Sequence, residues 1–287
     1  MAAAGHETTP VKPRLGDRVV RESARSWFDR IALDAGEPFL LDGYGRVAEA
    51  GGEPLLRGMT ADLKAKLAPL AGTTVLEVGC GAGAITKGLV VDAQSVTAVD
   101  FSHPMLLQAR RAGLSEPDYV TADASLLPFK SGSFDRVVCY SVFNNFPSLD
   151  FAAQVMRELA RVAKPGGRVL IGQVPNADRK EAWLRDYSAR FGGAPPSRAR
   201  AWLGASKHRV LRGARAALRL MGKRPPPALA FQYYRAAFFT RVAAELQHRC
   251  DIMPAFNLLQ DGNGPAVADY RLDVCITVTS PPTPALS

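Results

Sequence analysis

The residues of this 287-residue chain that most directly suggest chemistry are two acids, each near the end of a short apolar run, with glycines between them. The run Val75-Leu-Glu-Val-Gly-Cys-Gly-Ala-Gly83 carries Glu77 and then glycines at 79, 81 and 83. Glycine adopts backbone angles closed to other residues and lets a ligand approach the main chain. Twenty-one positions after Gly79, the run Ser95-Val-Thr-Ala-Val-Asp100 ends in an acid suited to the two hydroxyls of a ribose. In an open α/β sheet, turns that follow strands lie where ligands bind. The two runs together describe a site for a nucleoside.

Two nucleoside cofactors fit this pattern. Gly79-x-Gly81-x-x-Ala84 formally satisfies the dinucleotide fingerprint. Four details favour S-adenosylmethionine over NAD. Glu77, two residues before Gly79, can reach a charged amino acid moiety, which NAD lacks, and the glycines run G-x-G-x-G. Asp123, followed by Ala124, stands just past a third short strand, Asp118-Tyr-Val-Thr-Ala, and is placed to accept from an adenine amino group. Lys164-Pro-Gly-Gly167 joins an amphipathic helix to a strand that begins Arg168-Val-Leu-Ile-Gly. The alternative for Asp100 and Asp123 is that each caps the element that follows it.

Over roughly Asp62 to Val174 the chain resembles the class I S-adenosylmethionine-dependent methyltransferases, in particular the small-molecule branch labelled type 11. The likeness rests on Val-Leu-Glu-Val-Gly-Cys-Gly-Ala-Gly, Val-Asp-Phe-Ser-x-x-Met-Leu, Ala-Asp-Ala-x-x-Leu-Pro-Phe, Ser-Phe-Asp-x-Val and Leu-x-Arg-Val-x-Lys-Pro-Gly-Gly, in that order and spacing. The resemblance implies that Glu77, Gly79 and Gly81 hold the amino acid end of the cofactor, with Cys80 and Gly83 in the same loop. It places Asp100 on the ribose, Phe101 and Met105 beside the adenine, Asp123 and Ala124 at its edge, and Tyr140 and Ser141 facing the methionine part. It also implies a Rossmann-like, seven-stranded doubly wound sheet with the last strand antiparallel, and a leading helical lid with an aromatic residue near the sulfonium. Tyr44, Trp27 and Phe28 are candidates for that aromatic, with Tyr44 also a candidate for acceptor contact.

The elements that must position these residues alternate between strand and helix, which argues for a parallel doubly wound α/β sheet. Strands are expected near 73–79, 95–100, 118–122, 134–141, 168–174, 250–256 and 270–278, and helices near 84–91, 103–112, 150–163 and 236–248. Residues 18–34 and 55–68 have helical periodicity, with a turn at Asp42-Gly-Tyr-Gly45 between them. The expected organisation is a disordered lead over 1–17, a helical lid over 18–70, a methyltransferase core over 71–177 and 236–280, and a helical cap insert over 178–235.

That insert is strongly basic. From Arg179 to Arg224 thirteen Lys or Arg face two acids, a local +11 against +9 for the whole chain. It reads either as a solvated helical cap or as an attractor for an anionic acceptor: a phosphate, a carboxylate, a carrier-protein arm or an acidic surface. The acceptor itself belongs beside Tyr140-Ser-Val-Phe-Asn-Asn-Phe-Pro147. Asn144 and Asn145 there can orient a substrate but cannot deprotonate it at neutral pH, so they are either the catalytic, acceptor-orienting pair or plain turn residues.

Composition excludes several other classes. No run of about 18 apolar residues exists, and the first residues lack a signal-peptide core, so a cytoplasmic protein without a membrane span is expected. Cys80, Cys139, Cys250 and Cys275 and the four histidines show no metal spacing. No tyrosine is followed four residues later by lysine, against a short-chain reductase. The loop after the fourth strand lacks an Asn/Asp-Pro-Pro-aromatic motif, and basic charge with few interleaved aromatics is a weak nucleic-acid signal. A small-molecule methyltransferase is the expectation. An RNA methyltransferase and a non-catalytic S-adenosylmethionine-binding protein are the alternatives, and a carrier protein or a second copy of the chain the further partners left open.

Overall fold

The structure is a computed structural model that describes residues 15–33, 45–113, 117–183, 185, 232–256 and 270–280. Its elements in chain order are α1 (Leu15–Leu33), α2 (Gly45–Leu67), β1 (Thr74–Val78), α3 (Thr86–Leu89), β2 (Ser95–Asp100), α4 (His103–Arg111), β3 (Asp118–Thr121), β4 (Phe134–Tyr140), α5 (Leu149–Val162), β5 (Ala163–Pro175), α6 (Ala236–Glu245), β6 (Arg249–Pro254) and β7 (Arg271–Thr277). One seven-stranded sheet has the order β3-β2-β1-β4-β5-β7-β6. The first five strands run parallel, and β7 lies antiparallel between β5 and β6.

Alternation along the strands divides the core between two faces. Leu76 and Val78 of β1, Val137 and Cys139 of β4, and Val169 and Ile171 of β5 pack with α5 and α6. Val75, Val138, Tyr140 and Leu170 pack instead with Met59, Leu63 and Leu67 of α2 and Leu89 of α3. The α5 helix earns its place by pattern: Phe151, Val155, Met156, Leu159 and Val162 recur at helical spacing and are all buried. Its start is fixed by Ser148, whose Oγ accepts from Phe151 N at 3.2 Å. Glu158, buried on the same helix, accepts from Leu127 N at 2.8 Å and pairs with Arg161, which ties the segment after β3 to α5.

Several boundaries differ from those expected, the largest at helix α2, which begins at Gly45 rather than near 55 and takes in the last residue of the expected turn. Helix α1 begins at Leu15, inside the segment taken as a disordered lead, while residues 1–14 lie outside the described set. Strand β5 begins at Ala163 rather than 168, because Ala163 already pairs with Phe134. Lys164-Pro-Gly-Gly167 is thus a bulge within the strand rather than a plain connection, with Gly166 at φ 78°. Helix α3 is one short turn, Thr86–Leu89. Residues 42–44 of the expected turn, including Tyr44, and residues 186–231 of the basic insert lie outside the described residues.

A second irregularity in β5 organises the far half of the sheet. Register shifts between Ile171 and Val174, and Gln173 takes a left-handed φ of 56°. The carboxylate of Asp273 on β7, fully buried, accepts from Gln173 N at 2.7 Å. Its other oxygen takes Lys66 Nζ of α2 at 2.7 Å, and the same ammonium reaches Asp62 at 2.6 Å and Pro254 O at 2.6 Å. Burial raises the Asp273 pKa, and the neighbouring Lys66 opposes that shift.

Lys66→Met leaves this buried carboxylate without its cation and is expected to cost about 3–5 kcal/mol in a urea melt. The double variant Lys66→Met, Asp273→Leu is expected to recover most of that loss, since removing both charges removes the desolvation cost as well. A double variant no more stable than the single one would show that the pair is not the source.

Candidate active site

The carboxyl ends of β1, β2, β3 and β4 open side by side, and the chain between them forms the mouth. After β1 the backbone turns through three left-handed glycines: Gly79 at φ 79°, Gly81 at φ 56° and Gly83 at φ 91°. The amides of Gly79 and Cys80 both donate to Val99 O of β2, at 2.7 and 3.0 Å. A Cβ at Gly79 would collide with the side chain of Val142, so this glycine is required by the loop after β4 as well as by the turn. Glu77 is buried on β1 immediately before the turn.

Asp100 is the hinge of the mouth. One carboxylate oxygen accepts from Gly81 N at 2.9 Å, and the other from Ser102 N at 2.8 Å. The group therefore ties the glycine turn to the turn after β2. Burial pushes its pKa up to about 6, against the lowering effect of hydrogen bonds from the Ser102, Gly81 and Phe101 amides, with nearby Asp29 adding a smaller upward push. Each carboxylate oxygen retains capacity for a further hydrogen bond. These features fit a nucleoside: a buried acceptor for vicinal hydroxyls, with free-turning glycine backbone beside it. Thr86 Oγ1, just beyond the glycine turn, is a buried hydroxyl with no partner among the described residues.

The remaining candidates divide. Met105 is buried against Ala82 of the glycine turn, with Phe28 of α1 packed on both. Phe101 and Trp27 each meet Phe28 edge-on, with ring centroids 5.7 and 4.9 Å away. Asp123 has its own chain as partner: Oδ1 accepts from Ser125 N at 2.9 Å and Ser125 Oγ at 2.6 Å, and Oδ2 pairs with Arg21 of α1. Both carboxylate oxygens thus engage protein groups, the capping reading of Asp123 with a helix-borne cation added. Ala124 packs against the α5 side of the core.

Two candidates have side chains directed into the core rather than the mouth. Cys80 is buried against Ala98 and Leu106 because the left-handed glycines on either side turn it under the loop. Tyr140 is 5% exposed and lies over Gly172, where any Cβ would strike its ring. Only their backbone lies near the mouth. Ser141, by contrast, sits at a strained φ of 60° and donates its amide to Gly172 O at 2.9 Å, joining the ends of β4 and β5. Asn144 and Asn145 form a short 3-10 turn, Phe143–Asn145. Asn144 Nδ2 donates to Asn145 Oδ1 at 3.0 Å, and the buried Asn144 Oδ1 meets no donor among the described residues. Gln232 N donates to Asn144 O at 2.9 Å and Tyr234 OH to Phe143 O at 2.8 Å, so the segment before α6 braces this loop from behind.

Sequence reasoning passed over the polar side chains of α1. Ser148 Oγ donates to Asp17 at 2.8 Å, Arg21 pairs with Asp123, Arg25 Nε donates to Phe101 O at 2.8 Å, and Ser102 Oγ donates to Asp29 at 2.6 Å. Gln108 of α4 adds a bond to Ala32 O at the end of the helix. The signal was present: positions 17, 21, 25 and 29 are four apart, hence one face of a helix.

Gly79→Ala is expected to destabilise the fold by about 2–4 kcal/mol, combining left-handed strain with overpacking against Val142. Val142→Ala in that background is expected to return about 1–3 kcal/mol of it by relieving the overpacking. Denaturant melts of the two proteins check this, and no recovery in the double variant would mean Val142 is not what limits the turn.

The family described as a methyltransferase domain matches residues 76–171. A demethylmenaquinone methyltransferase of Clavibacter sepedonicus is 38% identical over 107 residues, 37% of this chain and 42% of its own length. A malonyl-[acyl-carrier protein] O-methyltransferase of Erwinia pyrifoliae is 31% identical over 166 residues, 56% of this chain and 62% of its own. The chain thus spans about half the length of such curated relatives. Among solved structures, the DhpI-SAM-HEP complex superposes with a TM-score of 0.56 at 17% identity, covering 92% of this chain and 99% of that one, which is a likeness of fold. The segment that matches the methyltransferase domain family, residues 76–171, is the one that holds Glu77, the glycine turn, Asp100 and Asp123.

Proposed function

We propose that this chain transfers a methyl group from S-adenosylmethionine to a small-molecule acceptor of the specialised-metabolite or sugar type, one that carries an anionic group or is presented on a carrier. The observation that carries the reading is the Asp100 carboxylate, buried at the end of β2 and bonded to the Gly81 and Ser102 amides. Relatives named for methylating demethylmenaquinone and a malonyl group on an acyl carrier protein support a small acceptor, and the second supports a carrier-borne one. No helix among the described residues is long and apolar enough to cross a membrane.

The bound cofactor supplies an electrophilic methyl on a sulfonium. The chain's contribution is placement and exclusion of water. Asp100 takes the ribose hydroxyls, Glu77 the amino acid ammonium, and the left-handed glycines let the backbone approach it. On the acceptor side, the buried Asn144 Oδ1 accepts from a hydroxyl or amine of the acceptor and Asn145 holds the Asn144 amide in that orientation. The Phe143–Asn145 turn, braced by Gln232 and Tyr234, keeps both in place. The arginines of the basic insert draw the anionic end of the acceptor toward the mouth.

Isotope-labelled S-adenosylmethionine incubated with the purified chain and an extract of producing cells is expected to label a small organic product, identified by mass spectrometry. Label found only in RNA would replace this reading with the nucleic-acid alternative. Cofactor affinity carries a second test. Ribose hydroxyls donate to Asp100, so they favour its ionised form. Affinity for S-adenosylhomocysteine is therefore expected to be full above the Asp100 pKa of about 6 and to fall as pH drops through it, while Asp100→Asn flattens the dependence. The sign is opposite for the free protein: a folded pKa above the unfolded value makes this group's contribution to stability shrink as pH rises from about 4 to about 6. Calorimetric titration across that range checks the first statement, and equal pH dependence in both proteins would contradict it.

A further inference from the structure

The end of β5 carries a buried side chain with one polar atom to spare. Gln173 is fully buried, and its backbone is left-handed at φ 56°, a conformation that strains any residue with a Cβ. Its amide donates to the Asp273 carboxylate at 2.7 Å, and its carbonyl accepts from Arg271 Nη1 at 2.7 Å. Its side-chain Nε2 donates to Phe256 O at 2.6 Å. The Phe256 ring is seated against Gly58 of α2, where a Cβ would strike it. Phe256 O only accepts, so the amide nitrogen must face it and the amide oxygen is left over. That oxygen, Oε1, is buried and meets no donor among the described residues.

A buried carbonyl without a donor is a cost that an apolar side chain of the same length would avoid. Here the cost comes with backbone strain and with a buried ion pair, Asp273 with Lys66, that fixes the strained residue from behind. The place of Gln173 accounts for it. Tyr140 of β4 pairs in register with Gly172, and Ser141 N donates to Gly172 O at 2.9 Å, so Gln173 is the residue just past the junction of β4 and β5. Ligands of open α/β sheets bind beyond the carboxyl ends of the strands. The Phe143–Asn145 turn starts from the same junction. The glycine turn and Asp100 follow β1 and β2, which lie across β4 from β5, so Gln173 stands on the acceptor side. An amide oxygen only accepts. An ionised carboxylate or phosphate has no proton to give it, whereas a hydroxyl or amine does. We propose that Gln173 Oε1 is a second anchor for the acceptor, accepting from a hydroxyl or amine other than the one methylated, so that the site selects acceptors with such a donor besides the reacting group. The proposal rests on the methyl-transfer reading above and adds to it a specificity-determining residue on β5.

The test uses the full chain with labelled S-adenosylmethionine and a dilution series of producing-cell extract as the source of acceptor. Gln173→Met keeps the length of the side chain and removes the oxygen. It is expected to raise the half-saturating amount of extract by about tenfold or more, with affinity for S-adenosylhomocysteine within about twofold of wild type by calorimetric titration. Gln173→Asn suits the left-handed backbone better than glutamine, so it keeps the fold even where the methionine variant loses it. Its carboxamide is drawn back by one carbon, and it is expected to show the same shift. The labelled product, exchanged into deuterated solvent, is expected to show by mass at least one exchangeable hydrogen on oxygen or nitrogen beyond those of its acidic groups. An unchanged half-saturating amount in both variants would show that Oε1 meets only an internal water and would overturn the assignment. An equal loss of cofactor affinity, or a product without such a hydrogen, would overturn it too. Each of these leaves the methyl-transfer reading intact, whereas absence of any labelled small molecule with wild type would overturn both.

Discussion

The mouth of this sheet depends on one buried carboxylate with two backbone donors. Without a group between them, the glycine turn after β1 and the turn after β2 would be separate loops, each with an amide facing the same small space. Asp100 satisfies both amides at once, at 2.9 Å to Gly81 and 2.8 Å to Ser102, and so converts two flexible turns into one frame. The arrangement costs desolvation, which is why the carboxyl pKa stands near 6 despite its hydrogen bonds. A group held this way is poised to gain from further donors. Two ribose hydroxyls would complete the coordination that the backbone begins, and binding would favour the ionised form that burial disfavours.

Around that frame α1 contributes a polar stripe where a lid helix would be expected to present an apolar one. Asp17, Arg21, Arg25 and Asp29, two cations flanked by two acids, reach Ser148, Asp123, Phe101 and Ser102 in turn. The apolar contact is narrower: Phe28 on Phe101, with Phe28 and Ile31 against Ala82 and Met105. Polar links of this kind fix register along a groove better than they add stability, since partly exposed pairs contribute little net energy. The helix is thereby held in one setting relative to the ends of β2, β3 and β4.

Much of this was legible in the sequence because the controlling signals are local. Apolar runs ending in Glu77-Val-Gly and in Asp100 mark strands that open into turns, and the alternation of strand and helix from residue 74 to 175 requires no long-range information. The unread parts are those set by distant partners. Strand β5 starts at Ala163 because Gly166 and Gly167 exchange bonds with Val278, more than a hundred residues away. Gln173 is left-handed because Asp273 on β7 takes its amide. Tyr140 looked like a mouth residue from its place after the fourth strand, yet strand parity and the bare surface of Gly172 put its ring in the core. The stripe on α1 escaped notice for a different reason: charged residues at helical spacing are the usual appearance of a solvated face, and only the position of the helix in space distinguishes the two.

On the proposed reading, the loop after β4 aligns the acceptor without a catalytic base. Among the described residues of the loop after β4 no group ionises at neutral pH, and the polar atoms that remain are amides. Asn144 Oδ1 is buried and in want of a donor, with Nδ2 already committed to Asn145. Such an atom orients a hydroxyl or amine by accepting its proton in a hydrogen bond, without removing it. A direct displacement at a sulfonium methyl asks chiefly for alignment of three atoms and a dry site. The fold meets that demand with rigid supports: Ser141 locked to Gly172, the Phe143 carbonyl held by Tyr234, and the Asn144 carbonyl by Gln232. An acceptor that carries its own acidity, such as a phenol, enol or carboxylic acid, would need nothing more than this. On the proposed reading, the net positive charge of the sequence from Arg179 to Arg224 complements an acceptor that arrives as an anion.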